Sequence, residues 1–142
     1  FSEEFVDKLA TEKGYKIQFQ SEVGVPIYVR THEKSLEMIL QNLVENGFKY
    51  GPEDGVVFFR VGRSERATIE IIDSGRGIDS VHLEQIFDPF FRVQEAVDLG
   101  IPGTGLGLAI VKKLAQESGI SLSVTSEKGK GSSFRLDFNE AS

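Results

Sequence analysis

Leu36, Ile39, Leu40 and Leu43 fall at i, i+3, i+4 and i+7, and Gly47 follows at i+11. That spacing predicts an amphipathic helix over residues 34–50, and its apolar stripe has to be buried against a second layer. The rest of the chain offers strands for that layer. VVFFRV and ATIEII are joined by GRSER, and SLSVTS and SFRLDF lie around EKGKG, so each pair reads as a hairpin. KIQFQ and VPIYVR read as two further strands, with Pro26 near the start of the second, where a missing N–H does least harm. Phe5, Val6, Leu9 and Ala10 share a helical face closed by Gly14, and another helix runs over roughly 106–118 to Gly119. Thr31 or Ser35 is the expected cap of the stripe helix, and GPEDG is the turn after it. Asp79 or Ser80 is placed to cap a short helix over VHLEQIF, and DPFFRVQEAVDLGIPG, which has no period, reads as a long loop. Helices and antiparallel-looking strands in this order predict an α+β fold with helices layered on one sheet face.

A chain of 142 residues suits one domain with one core. No apolar run approaches the eighteen or so residues of a membrane span, and the acidic start FSEEFVDKLA does not have the layout of a signal peptide. It does not begin with Met, so a fragment of a longer protein is expected. The absence of Cys excludes disulfides and thiolate metal sites. A net charge of −6 argues against nucleic acid, where affinity comes from Lys and Arg on phosphates.

Three stretches carry chemistry. Asn42 and Asn46, four apart, share a helical face with Lys49 three further on. An amide oxygen suits a hydrated hard cation such as Mg²⁺, and Lys49 adds a point charge for a phosphate. A polar stripe facing water would have the same letters. IIDSGRGID puts Asp73 at the end of an apolar strand, where a carboxylate, which only accepts hydrogen bonds, can read an amino group such as that of adenine. Gly75 and Gly77 let a flat ring approach that turn, although Asp-Ser-Gly also makes ordinary turns. IPGTGLGL places Gly103, Gly105 and Gly107 just before a helix, whose N-terminal N–H groups bind anions. The spacing matches neither the Walker loop nor the dinucleotide-binding fingerprint, and a flexible hinge is the competing reading.

In order, N-L-V-E-N-G-F-K-Y, D-S-G-R-G-I, F-D-P-F-F-R, G-T-G-L-G-L and G-K-G-S-S-F extend from about Ile27 to Phe138. This succession resembles the catalytic, ATP-binding domain of sensor histidine kinases, in the superfamily that includes gyrase-type topoisomerases and heat-shock chaperones. The resemblance implies a two-layer α/β sandwich, a mixed sheet under three helices, as a single domain over residues 1–142. It implies ATP and Mg²⁺ as cofactors. Asn42 and Asn46 would bind metal and phosphates, with Asn46 the metal ligand. Lys49 would contact phosphate, and Tyr50 would lie against adenine or ribose. Asp73 would accept the adenine amino hydrogen, with Gly75, Gly77 and Ile78 shaping that wall. Phe87 and its box would anchor a lid over about 88–103, and Arg92 would reach the phosphates. Gly103, Thr104, Gly105, Leu106, Gly107 and Leu108 would wrap the triphosphate, and Gly129 and Gly131 would support the far hairpin.

The implied reaction transfers the γ-phosphoryl group to a histidine on a separate dimerisation domain of the same parent, with a response regulator downstream. Asn46, Lys49 and Arg92 would be its catalytic residues. The domain would be cytoplasmic, whether or not the parent is membrane-anchored, and would touch neither nucleic acid nor membrane. In the hydrolase relatives a glutamate stands one turn before the metal-binding Asn; here that place is Asn42, whose amide is no general base. ATP should therefore be held without ready hydrolysis. Glu45, about 100° around the helix from Asn46, reads as structural or solvent-facing, with orientation of a nucleophile as the lesser reading. An anti-sigma-type serine kinase shares these boxes, but the well-formed F-D-P-F-F-R box and fuller lid favour the histidine kinase; the intact metal and phosphate boxes weigh against a binding-only nucleotide sensor.

T-H-E-K-S-L-E-M imitates a phosphoacceptor motif but has no Arg-Thr-Pro, so His32 reads as a helix-start residue and the acceptor is expected elsewhere. His82 reads as a surface residue. Phe87, Phe90 and Phe91 have few cations beside them and read as packing and lid anchors, not as a nucleic-acid platform. The Lys128–Lys130 pair reads as a solvated hairpin tip.

Overall fold

The computed structural model describes residues 3–24, 29, 31–52, 55–63, 65–100, 103 and 105–139. The order is α1 (Glu3–Lys13), β1 (Ile17–Ser21), α2 (Glu33–Lys49), β2 (Val57–Arg63), β3 (Ala67–Asp73), two 3₁₀ turns (Ser80–His82 and Gln85–Phe87), α3 (Gln94–Asp98), α4 (Gly107–Ser118), β4 (Ser121–Glu127) and β5 (Gly131–Phe138). The five strands form one mixed sheet in the order β1-β2-β3-β5-β4. Both expected hairpins form, β2 with β3 and β4 with β5, and β3 pairs antiparallel with β5.

The β1–β2 pair makes the sheet mixed, as the resemblance implies. It is parallel, with Ile17 opposite Val57, and α2 forms the crossover between the two strands. Strand direction depends on where the crossover lands, which no local pattern encodes. The expected strand VPIYVR lies outside the described residues except for Val29.

The stripe of α2 is the centre of the core. Leu36, Ile39, Leu40, Leu43, Val44 and Gly47 are buried, and the sheet meets them with Val57, Phe59, Ile71, Phe134 and Leu136. Val111 and Ala115 of α4 complete this layer, and Val6 and Leu9 bring in α1. β5 alternates buried and half-buried positions, while β4 shows Ser121, Ser123, Thr125 and Glu127 to solvent. Gly14 and Gly119 close α1 and α4 in the left-handed region, as read from the sequence.

Local details differ from expectation. α2 starts at Glu33 with His32 as an uncapped N-cap, so Thr31 lies one residue too early and Ser35 is already inside the helix. Glu33 in the first turn instead complements the helix dipole. VHLEQIF forms two 3₁₀ turns, the first capped by Asp79, whose Oδ1 accepts from the Val81 N–H at 3.2 Å. The expected long loop contains the short α3.

Leu40 is fully buried and Val81 is 71% exposed, so the two report on the core differently. Leu40→Ala should cost about 2–5 kcal/mol of unfolding free energy. Val81→Ala should change it by less than about 0.5 kcal/mol. Urea denaturation of both variants measures this, and similar losses would contradict the core described.

Candidate functional site

The last turns of α2, the end of β3 and the start of α4 converge on a cavity of about 470 Å³. Gly47 makes this convergence possible. A Cβ there would stand 2.9 Å from Val57 Cγ2 and 3.4 Å from Asp73 Cβ, so the helix backbone rests on β2 and β3 without a side chain between. Asn42, Asn46, Lys49 and Tyr50 consequently line the cavity together with Asp73.

The two ends of the cavity differ in charge. At one end Asp73 carries a carboxylate buried enough that its pKa is pushed above the usual carboxylate value, partly opposed by the main-chain N–H groups of Gly75 and Ser132. The Gly75 N–H donates to Asp73 Oδ1 at 2.8 Å. Gly77 and Ile78 form the adjoining wall. Gly77 has φ +70°, and a Cβ there would meet the Glu127 carbonyl oxygen at 2.0 Å, so only glycine lets this turn lie against the β4–β5 hairpin.

At the other end are cations and bare backbone. A Cβ on Gly103 would sit 2.8 Å from Lys49 Nζ and 3.8 Å from Arg92 Nε. Asn42 donates its Nδ2 hydrogen to the Met38 carbonyl at 2.7 Å, leaving Oδ1 turned toward Gly107, whose missing Cβ would lie 3.2 Å from it. The N-cap of α4, Leu106, makes no side-chain cap, so the first N–H groups of that helix remain available to an anion. Between the ends, the segment from Phe90 to Gly105 is closed at its neck. The Phe90 N–H donates to the Gly105 carbonyl at 2.9 Å, and Phe90 itself has φ +66°.

Of the residues singled out from sequence, Asn42, Asn46, Lys49, Tyr50, Asp73, Gly77, Ile78, Arg92, Gly105, Gly107 and Leu108 line the cavity. Gly75 and Gly103 stand just behind it, on Asp73 and Lys49 respectively. Leu106 serves as the N-cap of α4. Thr104 lies outside the described residues. Phe87 is not at the wall; its ring packs edge-on against Phe134, 6.4 Å between centroids, and the neighbouring Ile86 lines the cavity instead. The 3₁₀ turn at 85–87 turns one residue in and the other toward the sheet.

Sequence reasoning missed Tyr15, Phe48, Arg76, Phe91, Val93 and Ser132 as lining residues; Glu45, read as structural or solvent-facing with orientation of a nucleophile as the lesser reading, is half-buried and lines the cavity. Tyr15 stacks on Phe48 at 4.3 Å, and its phenol pKa is raised by burial and then by the Glu45 carboxylate. Glu45 Oε1 accepts from Gln41 Nε2 at 3.2 Å. Nothing in the letters around Tyr15 marks it, because its role comes from the β1 edge folding beside α2. Among the described residues no group of three or more His, Cys, Asp or Glu could hold a metal.

A profile of the histidine kinase-, DNA gyrase B- and HSP90-like ATPases matches residues 31–142, and the chain belongs to that family. It is 36% identical over 119 residues to the sensor histidine kinase WalK of Bacillus subtilis (strain 168), covering 80% of this chain and 20% of WalK. It is 35% identical over 136 residues to the aerobic respiration control sensor protein ArcB of Escherichia coli (strain K12), covering 94% of this chain and 17% of ArcB. The crystal structure of full-length ShkA in complex with AMPPNP matches with a TM-score of 0.78 at 28% identity, over 98% of this chain and 28% of that one. The chain thus spans a fifth or less of the two sensor proteins. Family and fold agree with the resemblance read from the ordered boxes.

Burial raises the Asp73 pKa, so the folded chain holds that proton more tightly than the unfolded chain. Above the folded pKa the charged form costs stability, and the cost is relieved as pH falls through it. Asp73→Asn should therefore raise the unfolding free energy at pH 7, and the difference from wild type should shrink as pH is lowered through that titration. Thermal unfolding across pH 3.5–7.5, as an approximate working range, checks this; a destabilised variant at pH 7 would contradict the assignment.

Proposed function

We propose that this chain is the ATP-binding catalytic domain of a sensor histidine kinase. In this reading it binds Mg·ATP and passes the γ-phosphoryl group to a histidine on a separate dimerisation domain of the same parent. The observation that carries the proposal is the polarity of the cavity. A half-buried carboxylate acceptor stands on one part of the wall, and Lys49, Arg92 and the side-chain-free backbone of Gly103 cluster on another. A purine with an exocyclic amino group and an anionic tail matches that arrangement end to end. The family match and the AMPPNP held by ShkA support it.

In this reading Asp73 accepts the adenine amino hydrogen, and Ile78 and Tyr50 flank the ring. Lys49 and Arg92 neutralise phosphate charge, joined by the N–H groups at the start of α4. Asn46 would offer its amide oxygen to Mg²⁺, which would supply neutralisation of phosphate charge. The domain contributes positioning and electrostatics, while the acceptor imidazole attacks the γ-phosphorus and ADP leaves. Residues 88–103 act as the lid that keeps water out. With Asn42 in place of a general base, water is not activated and hydrolysis stays slow. Among the described residues no helix is long and apolar enough to cross a membrane. We place the domain on the cytoplasmic side, with a response regulator as the later phosphate acceptor.

Asp73→Asn should weaken ATP binding by about 10- to 100-fold, the worth of a hydrogen bond to a charged group. Calorimetry with Mg·ATP measures it, and unchanged affinity removes Asp73 as the base reader.

Mixing this domain and γ-labelled ATP with a purified histidine-bearing dimerisation domain tests the reaction. Acid-labile, base-stable label on the partner is expected. Acid-stable label would indicate a hydroxyl acceptor instead, and absence of label with intact binding would leave a nucleotide sensor.

A further inference from the structure

Behind the base-reading end of the cavity, the Ser126 hydroxyl is the meeting point of three polar contacts. The main-chain N–H of Ile78 donates to Ser126 Oγ at 2.7 Å. Ser126 Oγ donates to the Gly131 carbonyl at 3.0 Å. The hydroxyls of Ser126 and Ser132 lie 2.8 Å apart. A serine hydroxyl has one proton to donate and two lone pairs to accept with. An amide N–H can only donate and a carbonyl can only accept, so two of the three contacts have a fixed direction. The proton of Ser126 is committed to Gly131, and the remaining contact is satisfied only if Ser132 donates to Ser126.

That assignment has a consequence inside the cavity. Ser132 is 8% exposed and lines the cavity. It stands directly opposite Asp73 in the β3–β5 ladder, so both side chains emerge on the same sheet face. With its own proton turned away toward Ser126, the Ser132 hydroxyl presents lone pairs beside the Asp73 carboxylate. The side chains of Asp73 and Ser132 then both meet the cavity as acceptors.

We propose that Ser126 is a positioning residue that sets this polarity, holding Ser132 as a second acceptor so that the wall takes an exocyclic amino group and repels a ring carbonyl. The proposal rests on reading the cavity as an adenine-nucleotide site. Ser126 touches no nucleotide; it acts by fixing which way a neighbouring hydroxyl points. Without it, Ser132 can rotate and donate into the cavity, where a 6-oxo purine offers an acceptor.

Titration calorimetry of this chain with Mg·ATP and with Mg·ITP, which carries a carbonyl in place of the amino group, tests it. Ser126→Ala should lower the ATP-to-ITP affinity ratio by about tenfold, the scale of one hydrogen bond gained or lost in a buried site. Ser126→Thr, which keeps the hydroxyl, should restore the ratio. Ser132→Ala, which deletes the acceptor itself, should lower the ratio whether or not Ser126→Ala folds. Equal weakening of both nucleotides by Ser126→Ala would mean a purely structural role and overturn the proposal, as would an unchanged ratio in Ser132→Ala. Failure of the unmodified chain to bind ATP would instead overturn the reading of the cavity, and this proposal with it.

Discussion

The contact of Gly47 with Val57 and Asp73 is the constraint on which the site depends. Glycine inside a helix costs about 1 kcal/mol relative to alanine. Here the missing side chain lets the α2 backbone settle onto β2 and β3. Asn46 and Lys49, on the turn around Gly47, are thereby held at the rim of the cavity, and Tyr50 at the helix end touches the same D-S-G-R-G turn that carries Asp73. The Tyr50 carbonyl accepts from the Arg76 N–H at 3.4 Å, and a Cβ on Gly75 would lie 2.6 Å from that oxygen. The helix that supplies the core stripe thus also registers the two motifs against each other.

The same economy governs charge. The chain is acidic overall, at −6, yet Lys49, Arg76 and Arg92 all line one cavity. Asp73, three residues before Arg76, shares that cavity in a setting where burial disfavours its charge. A carboxylate whose charge is opposed by burial, set in a cleft, is the kind of group that marks a functional site. The site is assembled from the ends of α2 and the sheet and from the turns between them.

Legibility followed the range of the signal. The α2 stripe, the two hairpins and the glycine stops of α1 and α4 were readable because each rests on residues a few positions apart. The parallel sense of β1 and β2 was not, since it is decided by the crossover through α2. The cap was misplaced because Thr31 has a good capping side chain but the chain turns helical only after His32. In the site, residues inside recognisable boxes were found, whereas Tyr15 and Ser132 reach the cavity beside neighbours distant in sequence, Phe48 of α2 for the one and Asp73 of β3 for the other. Phe87 shows the limit of a box: the motif located the turn, but the packing of Phe134 decided that Ile86 would face inward.

The neck at Phe90 and Gly105 ties together the two ends of what lies between. Once the two strands of that neck are tied, extra residues cost little, about 0.6 kcal/mol for each doubling of length. Stretches inserted or rewritten between positions 94 and 100, beyond the cavity-lining Phe91, Arg92 and Val93, would alter the surface offered to other molecules while α2, β3 and α4 kept their places. Diversification within a lineage, or grafting in the laboratory, therefore has a ready-made splice point here, set by one hydrogen bond and one glycine.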